Sequence, residues 1–485
     1  MIYDNVIIGT GLSALGCILG LIKNNKQVLC IDASNSNLNN LGKQDSKKVV
    51  FCNQGIPLRK INQKFVNKKF FHPVEIIDKY LFGGLSNLWG ANALRPLPND
   101  FNEWPLTYKI LEPYLKKCET VMNISHFDDD LSKEFGIKKN EFNENKKKFF
   151  SEFIKSFFSS NVAKNKNFIY GLARLTLQDN CQISEESFFG CKDQNIFNSK
   201  DEIQKLVKEK KIKFIDNLIV KKIIYEGDNL RLLFSNNETS NILTKKLFLG
   251  AGPINTPKIV LNSSKNFKNM TISESQPFFI PCIFFGNKFD NKKMHHTLSQ
   301  AQIIFKNDEA NLNNTYYEIK YDEKLIDSII KIKYSILFYL IPRFFKKRLF
   351  VITGFINSKE SAYTAEIEKN IKELKIVEKK EMIKKSEKKI LNQLKILEKA
   401  FSFISLRPLL KFGVFGRGFH LGSSLPMKEK GTKENDMFTK PSGEVSSLKN
   451  VFVVDSSNFP NIPASGFSLT IMANAFRIGD LNSRD

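Results

Sequence analysis

Of the five histidines in the 485 residues, at 72, 126, 295, 296 and 420, His420 alone stands in a glycine- and serine-bearing segment, Phe419-His-Leu-Gly-Ser-Ser-Leu-Pro-Met427. A neutral imidazole titrating near operating pH is suited to take the proton of a substrate hydroxyl. By residue type alone, a structural histidine with its hydrogen bonds satisfied reads the same way. His72, His126, His295 and His296 lack such a setting and are expected at the surface or in loops.

A second constellation opens the chain, where Asp4-Asn-Val-Ile-Ile-Gly-Thr-Gly-Leu-Ser-Ala leads into an apolar helical run and then Gln27-Val-Leu-Cys-Ile-Asp32. Gly9 permits a sharp turn out of a strand, Gly11 permits close approach of the backbone to a pyrophosphate, and Ala14 is the smallest step up from a third glycine. The helix that starts there points free N–H groups and its positive dipole end at the phosphates. Asp32 is placed to accept hydrogen bonds from a ribose hydroxyl. A buried βαβ unit whose glycines serve only packing would show the same residues.

The elements that must position these groups follow from periodicity. Phe82-Gly-Gly-Leu-Ser-Asn-Leu-Trp-Gly90 is a glycine turn suited to a backbone lying against a planar ligand or a phosphate. Asp100 to Tyr114 reads as a turn and a helix start, with Pro105 at an early helical position and Tyr108, Leu111 and Leu115 on one face. Residues 126–165 read as a helical excursion. Between Ile212 and Gly252 short strands form a meander that ends in Leu247-Phe-Leu-Gly-Ala-Gly252, a second strand–turn–helix junction. Residues 265–405 read as a different domain, with strands near 278–285, 301–305 and 350–355 and a long amphipathic helix over Ala365 to Phe403. The strand Val451 to Val454 then delivers Asp455, and a helix begins near Ser468.

Composition bounds the function classes. With 42% hydrophobic and 26% charged residues, the chain is of globular type and large enough for two or three domains. Seven cysteines at 17, 30, 52, 118, 181, 191 and 282 show no zinc spacing, and their odd number points to reduced thiols in a cytoplasmic setting. Met1 is followed at once by a strand, so no leader is expected. The apolar run Ser335-Ile-Leu-Phe-Tyr-Leu-Ile-Pro is too short to span a membrane. The net charge of +24 accompanies abundant Lys, Asn, Ile and Phe. That combination is compositional, and no nucleic-acid partner is expected. Apolar and basic residues interleaved at 331–350 leave a peripheral membrane contact as the remaining partner class.

Five segments in order make the chain resemble the glucose-methanol-choline family of flavin oxidoreductases: Gly9-Thr-Gly-Leu-Ser-Ala, Gly83-Gly-Leu-Ser-Asn-Leu-Trp, Gly252-Pro-Ile-Asn-Thr-Pro-Lys-Ile-Val-Leu, His420 through Met427, and Asp455 through Ala475. The resemblance implies an α/β chain, α+β overall. Its parts would be a Rossmann-like FAD-binding domain in three pieces (1–125, 166–264 and 406–485) and a sheet-plus-helices substrate domain (126–165 and 265–405). It implies FAD held by Gly9, Gly11, Ser13, Ala14 and Asp32, with Val220 near adenine and Asp455 near the ribityl pyrophosphate. Gly83, Gly84, Ser86, Trp89, Ala251, Gly252, Gly466, Phe467 and Ser468 would complete the cofactor site. Trp89 is similar to the pyranose-oxidase-like branch, where a histidine just before it links covalently to flavin. Here Leu88 takes that place, so the FAD is expected to be non-covalent.

The resemblance makes His420 the base of a hydride transfer from an alcohol, sugar-like by the same resemblance, to flavin N5. The expected activity is that of a dehydrogenase acting on a CH–OH group, with an unspecified electron acceptor. One departure stands out. Where the family carries a second histidine or an asparagine, this chain has Gly466, followed by Phe467, and Ser465 and Ser468 are the nearest residues to complete the site. That departure keeps open an alternative: a flavin-binding lyase, isomerase or membrane-surface protein without net redox turnover.

Overall fold

The apolar run at the end of the first strand is buried on both sides, as parallel strands covered by helices are. A computed structural model describes residues 2–34, 80–87, 89–160, 167–179, 196–237, 241–265, 267–289, 298–306, 313–321, 347–369, 374–430, 437–465 and 467–484. Strand Ile2–Ile8 pairs in parallel with Val28–Ile31 on one side and with Ile242–Leu249 on the other. Lys213–Ile215 extends the sheet beyond Val28–Ile31. The strand Ile242–Leu249 is shared: its first half pairs antiparallel with the hairpin Val220–Glu226 and Asn229–Phe234, and Leu247 to Leu249 pair in parallel with Val451–Val453. These seven strands form the nucleotide-side sheet. The helix Leu12–Ile22 crosses the closing helix Phe467–Asn482 so closely that a Cβ on Gly16 would lie 2.2 Å from the Met472 carbonyl oxygen.

A second seven-stranded sheet is antiparallel throughout. Its order is Phe403–Ser405, Pro277–Phe284, Leu349–Ile356, Thr315–Lys320, Ala301–Phe305 and Phe168–Leu172, with Lys411–Phe412 also on Pro277–Phe284. Side chains alternate between its faces. Tyr317 and Ile319 meet the helix Lys380–Phe401, which buries Ile390, Leu394, Leu397 and Phe401 there, and the Tyr317 hydroxyl donates to Gln393 Oε1 at 2.5 Å. Tyr316, Glu318 and Lys320 point the other way, into the large cavity. A four-stranded antiparallel sheet, Lys375–Glu378, Tyr363–Glu368, Asn269–Glu274 and Leu421–Gly422, lies between these parts in sequence and carries the residue after His420. The fold class is therefore α/β, with a Rossmann-like sheet and a second assembly of sheet and helices.

Several expectations change. The long helix covers Lys380–Phe401 only, because residues 363–368 and 375–378 form a hairpin. Thr364, Ala365, Glu366 and Ile367 belong to a period of two, and Ile376 and Val377 are β-branched strand formers. The helix after Pro105 starts at Tyr108 with Thr107 at its N-cap, so Pro105 precedes it. Lys213–Ile215 joins the parallel edge of the sheet and not the meander. The excursion from 126 is short helices, Asp130–Glu134 and Glu152–Ser159, with 3-10 turns between. Cys17, Cys30, Cys118 and Cys282 are free thiols, all buried. Cys52, Cys181 and Cys191 lie outside the described residues, as does most of 331–350. Among the described residues no helix is long and apolar enough to cross a membrane.

Candidate active site

Gly9 leaves the first strand at φ +103°, and a Cβ there would sit 2.3 Å from the Gly250 carbonyl oxygen, so only glycine serves. Gly11 is the N-cap of helix Leu12–Ile22, which has no side-chain cap, so its first-turn N–H groups need an outside acceptor. A Cβ on Gly11 would meet nothing within 4 Å. Both glycines line the cavity, so the space beside Gly11 belongs to it.

Asp32 ends the second strand and is buried at 6% exposure. Thr10 Oγ1 donates to its Oδ2 at 2.6 Å and Ser34 N to its Oδ1 at 2.7 Å. Burial pushes its carboxyl above the ordinary range, and these hydrogen bonds pull against that. Thr10 also accepts from Gly83 N at 2.9 Å, which locks the second glycine turn onto the first. Ser86 Oγ donates to the Gly83 carbonyl at 2.6 Å, and Ser199 Oγ to the Thr10 carbonyl at 2.8 Å. Trp89 Nε1 donates to the Phe197 carbonyl at 3.0 Å.

The second junction is fastened by Asp455. Its Oδ2 accepts from Gly252 N at 2.9 Å and from the Thr256 hydroxyl, and its Oδ1 accepts from Ser457 N at 2.9 Å. The acid thus ties the strand Val451–Val453 to the start of helix Asn255–Ser263. Burial raises its carboxyl against those hydrogen bonds.

At the far end, His420 follows the turn Gly416 to Phe419. Its ring lies against Phe355, with centroids 4.4 Å apart, and against Phe467 at 4.8 Å. Its carbonyl accepts from Ser275 N at 3.0 Å. Its Nδ1 is buried with no partner among the described residues. Burial lowers the imidazole to about 4, against the pull of the Glu318 charge. The ring is therefore neutral at neutral pH with its lone pair available, and it is a weaker base than the imidazole titrating near operating pH that the sequence leads us to expect.

One cavity of about 610 Å³ joins these parts. Its walls include Gly9, Gly11, Ser13, Asp32, Gly84, Ser86, Trp89, Val220, Ala251, Gly252, Asp455, Phe467, Ser468 and His420. Ala14 and Gly83 stand behind this lining. Ser465 does too, and its hydroxyl is turned to Asp100 Oδ2 at 3.1 Å. Gly466 and Leu88 lie outside the described residues, with His72, His295 and His296. His126 is in a loop but buried, 3.8 Å from Glu119. Burial and the nearby cations Arg174, Arg95 and Lys146 lower it to about 3.

Sequence reasoning missed part of the lining. Asn92, Tyr316, Glu318, Lys320, Thr353, Phe355 and Arg417 all line the cavity. Burial pushes the Glu318 carboxyl up, but Lys320, Ser299 and Tyr316 outweigh it and hold it below the ordinary range. The alternation of Tyr316, Glu318 and Lys320 was visible, but not which sheet face meets a cavity.

No known family profile and no curated protein matches the sequence. Among solved structures, the chain superposes on pyridoxine 4-oxidase from Mesorbium loti with a TM-score of 0.55 and 12% identity, over 100% of this chain and 99% of that one. The two share a fold. The likeness spans both sheets, and at this identity it carries no residue correspondence. The residues present fit a dinucleotide on their own evidence: the open place beside Gly11, the uncapped helix start and the buried acid at the second strand's end.

Proposed function

We propose that the protein is an FAD-dependent oxidoreductase that oxidises the CH–OH group of an alcohol, with His420 as the base. The observation that carries this reading is a single cavity with a dinucleotide cradle at one end and a neutral histidine clamped by two phenylalanines at the other. Gly9, Gly11 and the uncapped helix turn would hold the pyrophosphate, Asp32 a ribose, and Ala251, Gly252 and Ser468 the remaining length. Leu88, which cannot form the histidyl link, makes the attachment non-covalent. A bound flavin would supply the hydride acceptor.

The chain's own part is acid–base. Phe355 and Phe467 hold the ring in place at the cavity, where the unprotonated imidazole can take the hydroxyl proton as the adjacent C–H bond breaks. Asp455, with its oxygens occupied by its own chain, keeps the second glycine junction in place. Of the two serines flanking Gly466 and Phe467, Ser468 lines the cavity, and Ser465 acts through Asp100 to fix the loop before the closing helix. The shared fold with a protein named as an oxidase agrees with this reading.

Purified protein should show the absorbance of an oxidised flavin, bleached on anaerobic mixing with an alcohol substrate. His420→Ala should keep that absorbance and lose about 10²-fold or more in the rate of bleaching. Reduction of the variant at the wild-type rate would remove His420 from the mechanism. We read the enzyme as a cytoplasmic dehydrogenase, and the reduced protein should accordingly persist when air is admitted. Prompt reoxidation would make it an oxidase.

A further inference from the structure

The cavity wall that adjoins His420 through Phe355 carries an ammonium beside a carboxylate whose acceptor sites are filled. Thr353 pairs with Glu318 across neighbouring strands, and both line the cavity with Tyr316 and Lys320. An ionised carboxylate has about four acceptor sites, and four donors meet Glu318. Asn92 Nδ2 at 2.7 Å and the Tyr316 hydroxyl at 3.1 Å reach Oε1. Ser299 Oγ at 2.7 Å and Lys320 Nζ at 3.0 Å reach Oε2. Gln302 Nε2 donates to the Tyr316 oxygen at 2.7 Å and to Asn92 Oδ1 at 3.3 Å.

Lys320 differs from its neighbours. It is 6% exposed, carries three N–H donors, and among the described residues its ammonium meets Glu318 alone. Thr353, 4% exposed, adds a hydroxyl on the next strand. Next to the ammonium the Glu318 carboxylate already meets four donors, so a group that only accepts suits this place better than a hydroxyl that must also donate. A carboxylate needs donors only.

We propose that Lys320, fixed by Glu318, binds a carboxylate of the substrate, so that the alcohol oxidised at His420 belongs to a hydroxy acid. This differs from the sugar-like substrate that the family resemblance implies. Glu318 is a positioning residue, whose Oε2 holds the Lys320 ammonium at 3.0 Å on the cavity wall. The oxidation of the hydroxyl rests on the function proposed above, whereas the carboxylate subsite stands on the wall itself.

Trp89 lines the same cavity, so tryptophan fluorescence reports occupancy without turnover. The purified protein is titrated with acetate, propionate and benzoate and with the matching primary amides. The acids should bind about 10- to 100-fold more tightly than the amides, and Lys320→Met should erase that preference while Lys320→Arg keeps much of it. Because Lys320→Met leaves a buried carboxylate unpaired, Glu318→Gln/Lys320→Met serves as the second variant and should lose the preference in a folded protein. Equal affinity for acids and amides, or a preference that survives both methionine variants, overturns the proposal. Acid binding with no alcohol able to bleach the flavin would leave the subsite standing and defeat the oxidoreductase reading. Bleaching by sugars without acid binding would do the reverse.

Discussion

Glu274 and His420 lie near each other in sequence pairing, and burial moves their titrations in opposite directions. Glu274 is fully buried beside Leu421 in the four-stranded sheet, and its Oε1 accepts from Gly416 N at 3.1 Å and Gly418 N at 3.4 Å. Its Oε2 is buried without a partner among the described residues, and burial raises the acid to about 8 despite the two N–H donors. It thus holds the turn that carries His420 while remaining protonated at neutral pH. Between its unfolded value and about 8 the folded chain binds a proton that the unfolded chain has lost, so stability falls as pH rises, by about 1.4 kcal/mol per unit. His420 has the opposite sign: its folded value of about 4 is depressed, so its contribution is present above about 6.5 and lost as pH falls towards 4. Urea melts of wild type and Glu274→Gln should therefore diverge from pH 5 to pH 8 in favour of the variant, then run parallel. A constant difference across that range would mean that Glu274 is ionised in the folded protein. None of this was legible in the sequence, where Glu274 is one acid among many and its burial depends on strands far apart in the chain.

At the scale of elements, the cavity wall exists because a strand has two faces. Tyr317 and Ile319 are held down by the helix Lys380–Phe401, which leaves Tyr316, Glu318 and Lys320 turned to the cavity. The helix fixes which face is which. Leu394 is completely buried in that contact, so Leu394→Ala should cost about 2–5 kcal/mol. Lys388, exposed on the same helix, should change stability by less than about 0.5 kcal/mol when replaced by alanine. Denaturant titrations would check both, and equal effects would show that the helix does not pack as described. The heptad-like spacing of 390, 394, 397 and 401 made this helix readable. Its start was not, because isolated apolar residues at 367 and 374 fit a helix period as well as a strand, and only the pairing of Tyr363–Glu368 with Asn269–Glu274 decides between them.

For the molecule as a whole, legibility follows from how tightly geometry restricts residue type. The glycine turns could be read because a positive φ or a backbone contact admits almost no other residue, as at Gly9. The wall of Tyr316, Glu318 and Lys320 could not, because any strand can carry a glutamate and a lysine two apart. That contrast separates packing from binding at the cradle. Gly9 is needed by the fold itself, but the missing side chain of Gly11 leaves space that belongs to the cavity. A ligand that binds only the folded chain stabilises it by about 2.7 kcal/mol at a hundredfold excess over its Kd. FAD should therefore raise the melting temperature of flavin-stripped protein in a concentration-dependent way. Gly11→Ala should shift the stability of the stripped protein by no more than about 1 kcal/mol, since a poorer N-cap is offset by a stiffer unfolded chain. The same variant should blunt the FAD-dependent rise, because its methyl group stands where the pyrophosphate would approach. A variant that melts far below the stripped wild type, or one that FAD stabilises just as well, would assign Gly11 to packing and remove the cradle from the argument.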